Sequence, residues 1–201
     1  MPQLTRDEKE KQLAQIAEKI ASCEVCTELC QACTNPVPGE GDPEAKLMFV
    51  GEAPGAEEDR QGRPFVGASG KFLAEMLASI GMSRGDVYIT NIVKYRPPSN
   101  RDPQPDEIQA CLPYLMQQIA IIDPQLIIFL GRHSMSVFFP ELKISACHGQ
   151  PMRRRYTHAG VSREQVFLPL YHPAAALYNG SMRAVLQEDF AKIPKILAKL
   201  S

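Results

Sequence analysis

A chain of 201 residues, 44% of them hydrophobic, is long enough to bury one sizeable core, so a single domain spanning 1–201 is expected, with no need of staples. Its 22 basic and 23 acidic side chains leave a formal net charge of −1, which argues against adhesion to polyanions through bulk charge. The charge is unevenly placed: from Ala146 onward eight basic residues stand against three acidic ones, +5, leaving −6 for the rest, so the basic C-terminal third either faces an anionic partner or is simply solvated helix surface.

In chain order, "MPQLTRDEKEKQLAQIAEKI" reads as a charged amphipathic helix rather than a signal. No apolar run approaches the roughly 18 residues of a membrane span, so a cytoplasmic protein with no membrane partner is expected. The Cys-rich stretch "CEVCTELCQAC" completes an N-terminal segment, residues 1–35. Beyond it, "KLMFVG", "DVYITN", "QLIIFLG" and "QVFLPLYH" are short apolar runs bounded by turn formers and read as buried strands. Helical patterns separate them: "SGKFLAEMLASIG", "PDEIQACLPYLMQQIAIID" and, closing the chain, "SMRAVLQEDFAKIPKILAKL". Strand alternating with helix predicts a three-layer α/β/α sandwich around a central, mostly parallel four-stranded sheet.

Such sheets gather ligands at the carboxyl ends of their strands. There the sequence places "GEAPG" after the first strand, "TN" closing the second and "YHPAAALYN" after the last, so three loops should converge on one cleft. The first of these opens an irregular loop, Val50 to Gly67, with a lone aromatic, Phe65. Long loops of this kind are more often functional than idle.

"GEAPG" with "GRPFVG", "ITNIVKYRPPSNRDP" and "HPAAALYN" resemble, in order, the motifs of the family 4 uracil-DNA glycosylases, the type often carrying an iron-sulfur cluster. The resemblance runs from about Cys23 to the C-terminal helix. It implies an enzyme that flips uracil out of DNA, single- or double-stranded, and hydrolyses its N-glycosidic bond without a divalent metal, acting as a monomer. A flipped base needs a flat platform, and Phe65 matches the family's stacking position; Gly51 belongs to the same uracil-binding set. Asn91 matches the residue that reads the base edge, where an amide offers both donor and acceptor. Glu58 lies where thymine's methyl would be excluded, although Glu57 and Asp59 flank it and any of the three could be merely solvated. His172 matches the histidine that donates to the departing uracil, and is preferred to His133, His148 and His158. Glu52 and Asn100 match the positions that hold the attacking water. Leu177 and Tyr178 occupy the wedge, with Tyr178 standing where a basic residue is common; Arg183 and the run Arg153 to Arg155 could neutralise phosphates. On the residues alone, Phe65 could be core, Asn91 a turn former and His172 structural.

The cysteines depart from the resemblance. It implies a [4Fe-4S] cluster on Cys23, Cys26, Cys111 and a fourth cysteine just before "RPP", but Tyr95 stands there, and a phenol is a poor ligand for soft iron. Cys30 or Cys33 could complete the set; alternatively the close cysteines bind zinc, or no metal binds and Cys111 is a small buried hydrophobe. Cys147 reads as structural. Rival functions are a noncatalytic uracil or DNA sensor, a relative that traps the abasic sugar covalently, and an iron-sulfur electron carrier. The presence of Glu52 and Asn100 beside Phe65 and Asn91 favours catalysis.

Overall fold

The computed structural model describes residues 4–22, 27–158 and 160–200. Helix α1 (Arg6–Ala21) starts at Thr5, whose hydroxyl accepts from the Glu8 N–H while the Glu8 carboxylate accepts from the Thr5 N–H, a reciprocal cap. After α2 (Thr27–Ala32) and a two-residue strand β1 (Glu40–Gly41) come β2 (Leu47–Gly51), α3 (Ala56–Gln61) and α4 (Ala68–Ser79). Strand β3 (Tyr88–Asn91) leads to the long α5 (Pro105–Ile122), and β4 (Leu126–Leu130) to α6 (Arg132–Ser136) and α7 (Ile144–Cys147). The hairpin β5 (Met152–His158) and β6 (Val161–Leu170) precedes α8 (Ala175–Tyr178), α9 (Gly180–Phe190) and α10 (Ile193–Leu197).

The six strands lie in the order β1-β3-β2-β4-β6-β5. The four inner strands are mutually parallel, and β1 and β5 join antiparallel at the two edges. The sequence predicts four strands; those are the inner four. The edges escape because β1 is too short to show a period and β5, "MRRRYTH", has arginines where a buried strand has apolar residues. An edge strand needs only one covered side, and charged side chains there discourage pairing with other chains. The C-terminal helical pattern is also broken in two, with Pro194, which lacks an N–H, in the first turn of α10.

Alternation along the inner strands shows why β2, β3 and β4, and residues 165–170 of β6, are wholly buried. Met48 and Val50 of β2, with Ile127 and Phe129 of β4, pack toward Ile16, Ile20, Cys111, Leu115 and Ile119 of α1 and α5. Leu47 and Phe49, with Leu126, Ile128 and Leu130, face the opposite way, against Phe72, Leu73, Leu186 and Phe190 of α4 and α9. Both sheet faces are thus covered by helices, the three-layer arrangement that a parallel sheet requires. No helix among the described residues is long and apolar enough to cross a membrane.

Candidate active site

At the carboxyl ends of β2, β3 and β6 lies a cleft of about 680 Å³. Glu52, Glu58, Phe65, Asn91, Asn100, His172, Leu177 and Tyr178 all line it, although they come from well-separated stretches of the chain.

The cleft is built outward from the β2–β3 register. Gly51 pairs with Asn91 across the two strands, and the ladder runs one step further through Val93 N–H to the Glu52 carbonyl (3.0 Å). Gly51 has to lack a side chain: a Cβ there would stand 2.3 Å from Asn91 Oδ1 and 2.6 Å from Phe65 Cζ. The amide of Asn91 and the ring of Phe65 therefore meet over one bare backbone position. Asn91 is 1% exposed, and its Oδ1 has no hydrogen-bond partner among the described residues. A buried acceptor left unpaired is costly, and at a cleft wall it is the kind of group a ligand satisfies.

The Phe65 loop is held by two clasps. The Glu58 carboxylate accepts from the N–H groups of Val66 and Gly67 (both 2.8 Å) and of Gly55 (3.2 Å), drawing the two ends of the loop together. From the outside, the Arg84 guanidinium donates to the carbonyls of Phe65 (2.8 Å) and Pro64 (2.7 Å) and pairs with Glu40 of β1 at 2.5 Å. Phe65 itself sits at φ 51°, a strained value for a residue with a side chain. Gly70 of α4 makes room for it, since a Cβ there would fall 1.8 Å from the Phe65 carbonyl oxygen. Phe65 is both core and cleft wall: 6% exposed, packed with the β2/β4 apolar face, with its ring centroid 5.7 Å from that of His172.

His172 follows β6. Its Nδ1 accepts from the Ala174 N–H at 3.1 Å, which leaves the ring proton of the neutral form on Nε2. Burial lowers its pKa to about 4, the Glu58 carboxylate opposing, so near pH 7 the ring is a neutral donor. His148 is engaged elsewhere, with its Nδ1 2.7 Å from Asp189 and its ring against Tyr171.

Glu52 is raised above the ordinary carboxylate value, first by burial and then by Asp102, with His133 and Arg132 opposing. Its Oε2 lies 3.9 Å from His133 Nε2, which is 3.3 Å from Asp102 Oδ2. The sequence motifs single out neither His133 nor Asp102. The signal was available, since His133 follows β4 at the same strand-end level as the other motifs and Asp102 is two residues beyond Asn100. Among the described residues these three alone bring potential metal-ligating atoms within 4.8 Å of one another, but Arg132 already sits on both His133 (2.9 Å) and Asp102 (3.4 Å), where a cation would have to displace it. Asn100 and Ser99 both adopt φ 54°, and Asn100 Oδ1 accepts from Arg96 Nε at 2.8 Å, so its NH₂ is what remains to face a water.

At the rim, Leu177 is 45% and Tyr178 90% exposed, conspicuous for apolar side chains. Arg183 does not join them; it pairs with Glu75 at 2.5 Å and lies over the Phe72 ring. Arg153 and Arg154 pair with Glu164 and Glu141. Of the cysteines, Cys23 and Cys26 lie outside the described residues. Cys111 is fully buried, and Cys30 and Cys33 border the same core. Tyr95 is buried there too, its hydroxyl donating to the Ile20 carbonyl at the end of α1.

The family profile described as the Uracil DNA glycosylase superfamily matches residues 38–200. The chain is similar to the Type-4 uracil-DNA glycosylase of Sulfurisphaera tokodaii, 50% identical over 186 residues that cover 92% of this chain and 84% of the relative. It is also similar to those of Saccharolobus solfataricus, 48% identical over 91% of this chain and 85% of the relative, and Archaeoglobus fulgidus, 43% identical over 93% and 94%. With a preformed cleft at the strand ends and these relatives matched over nearly their whole length, the chain belongs to the Uracil DNA glycosylase superfamily.

Proposed function

We propose that the cleft receives a uracil flipped from DNA and that its residues act as follows. Membership of the family makes the chain a uracil-DNA glycosylase, a hydrolase of N-glycosidic bonds in base-excision repair. The uracil stacks on Phe65 and meets Asn91 edge-on, its N3–H donating to the unpaired Oδ1 and its O4 accepting from Nδ2. His172 Nε2–H donates to O2. As the bond between the sugar C1′ and N1 breaks, its electron pair goes to N1, and His172 and Asn91 face the charge that spreads onto O2 and O4. The sugar becomes cationic beside the Glu52 carboxylate. A water held by Glu52 and the Asn100 NH₂ adds to C1′ and passes its proton through Glu52 to solvent, while the uracil anion takes a proton from solvent after release. Against so electrophilic a carbon, positioning the water contributes more than deprotonating it. Leu177 and Tyr178 enter the stack that the base has vacated. Glu58 acts on specificity indirectly, by closing the loop that carries Phe65.

The reading is carried by the orphaned Asn91 Oδ1, buried at the meeting point of an aromatic ring and a neutral histidine donor. Excess protein incubated with a U·G duplex in chelator, then treated with alkali, tests it. Cleavage at the uracil is expected, as is its loss in Asn91→Asp, whose carboxylate repels both O4 and the developing anion. An uncut duplex with the parent protein overturns it.

The iron-sulfur cluster is a separate proposal. The described donors do not close a ligand set, because Tyr95 fills the expected thiolate position with a phenol already bonded to Ile20. Cys111 with Cys30 or Cys33, all on one core, would need Cys23 and Cys26 to complete it, and no step of the reaction passes through it. We also read the protein as a monomer acting in the cytoplasm; a light-scattering mass of two chains would refute the first.

A further inference from the structure

Lys94 is fully buried behind the cleft. Its Nζ lies 2.7 Å from Thr90 Oγ1, 2.8 Å from the Asn91 carbonyl oxygen and 2.8 Å from Gln118 Oε1. The acceptors are themselves fixed: the Thr90 hydroxyl donates to the Pro38 carbonyl (2.9 Å), and so does Gln118 Nε2 (2.8 Å). Three acceptors at these distances engage all three N–H bonds of an ammonium, whereas a neutral amine has two to offer. Among the described residues no carboxylate is within ion-pairing distance of it. The titratable groups that face it are the Tyr88 phenol, reached through Gln118, and Cys111 on α5.

An ammonium in a core with no carboxylate beside it is destabilising, and an apolar side chain of similar length would fill the same space at less cost. Such groups concentrate where a charge is put to use. The use is legible in the third hydrogen bond. Asn91 presents its amide to the cleft and its peptide carbonyl to Lys94, so the ammonium both fixes the peptide that aims the base-reading amide and sets a positive charge one residue's depth behind the wall on which the base lies.

Resting on the reading of the cleft given above, we propose that Lys94 is a positioning residue for Asn91 whose ammonium, with no carboxylate beside it, favours the anion that uracil becomes as it departs. Burial lowers the Lys94 pKa to about 7, with Cys111 opposing, while the three acceptors favour the protonated form; the ammonium touches neither base nor sugar. It acts through Asn91 and through its field, which in a dry interior is weakly screened. Because the interaction strengthens as charge develops, it belongs to the transition state rather than to DNA binding.

The test compares leaving groups. Oligonucleotides carrying uracil or 5-fluorouracil are cleaved under single-turnover conditions by the parent, Lys94→Met and Lys94→Gln, on protein with a parent-like circular dichroism spectrum. The fluorinated base is the more stable anion and needs less help to leave. Lys94→Met is expected to slow uracil release at least about tenfold more than 5-fluorouracil release while DNA affinity changes less than about threefold; Lys94→Gln, which keeps one donor for Asn91, falls between. Equal slowing of both bases, or unchanged rates, assigns Lys94 to packing and overturns the proposal, as does failure of both variants to fold. If the parent itself leaves uracil in DNA, the reading of the cleft falls and takes the Lys94 proposal with it.

Discussion

At the level of single residues, the two best-placed side chains of the cleft owe their character to what lies behind them. Phe65 has one face in the core and one toward the cleft, so its removal touches both stability and binding. Phe65→Ala is expected to weaken processing by about 1–3 kcal/mol, the worth of one base stacked on an aromatic, read as kcat/KM on a uracil oligonucleotide. Glu52 and His172 carry opposite pH signatures. Burial raises the Glu52 carboxyl above 4.5, so its contribution to stability is full below that value and is lost as pH rises through the folded-state pKa. The anion that the proposed reaction needs is thus one the fold would rather protonate. Glu52→Gln should melt higher than the parent at pH 8, the gain vanishing below about pH 4.5, and should also abolish the acid limb of the rate profile. His172 runs the other way: with a folded pKa of about 4 against an ordinary 6.5, its contribution is present above 6.5 and is lost as pH falls through 4. A limb above pH 4.5 therefore reports Glu52 and not His172. That Glu52, Phe65, Asn91 and His172 share one cleft was legible from the strand-end motifs and the family they resemble, because those motifs combine unusual residue types with a fixed place in the chain. His133 and Asp102 were not, since neither type is unusual in a loop and only the fold brings them to Glu52.

At the level of elements, the segment from Gly51 to Gly67, which reads as an irregular loop in the sequence, holds the short helix α3 (Ala56–Gln61), whose acids hide a helical period, and its remaining loop is made rigid. Its backbone is fastened to Glu58 on the inside and to Arg84 on the outside, and its first glycine is the floor on which Asn91 and Phe65 meet. Gly51→Ala is expected to fold, with a melting temperature a few degrees below the parent, yet to lose uracil excision by a factor of about 10² or more, because the added methyl falls on Asn91 Oδ1 and the Phe65 ring, where the proposed base contacts are made. Near-normal excision by a folded Gly51→Ala would show that the base lies elsewhere. The inner strands and the long helices were readable from period and length, since a parallel strand covered on both faces is a plain apolar run. What the periodicity could not show was anything defined by a partner: β1 exists only because β3 pairs with it, and the arginines of β5 look like a loop until β6 lies beside them. The clasp of Glu58 was equally hidden, since a carboxylate accepting three backbone N–H groups reads in sequence as one acid among three.

For the whole molecule, the N-terminal helix is tied to the sheet's helical layer by α1 against α5, by Lys9 Nζ donating to the Ile122 carbonyl (3.1 Å) and by Tyr95 donating to Ile20. That packing would share the work of any cluster. Cys111→Ser should bleach the brown absorbance near about 400 nm expected of an anaerobically purified cluster protein and lower its melting temperature, while sparing much of the single-turnover rate. Colourless, iron-free parent protein would remove the cluster, and full colour in Cys111→Ser would remove Cys111 from its ligands. The uneven charge seen in the sequence has a plainer outcome in the fold: the basic residues of the C-terminal third are largely paired, Arg153 with Glu164, Arg154 with Glu141, Arg163 with Asp123 and Lys192 with Asp189.

The Glu58 clasp has a consequence for hydrogen exchange. Loop amides ordinarily trade their protons with solvent quickly, since little need open for them to do so. Here the N–H groups of Val66 and Gly67 are spent on a carboxylate that is itself part of α3, and the adjoining peptide is pinned by Arg84. Their protons should therefore linger as long as those of the surrounding helices, and bound uracil should slow them little further. The enzyme would then meet its base with a receptacle already set, leaving the DNA to make nearly all of the movement.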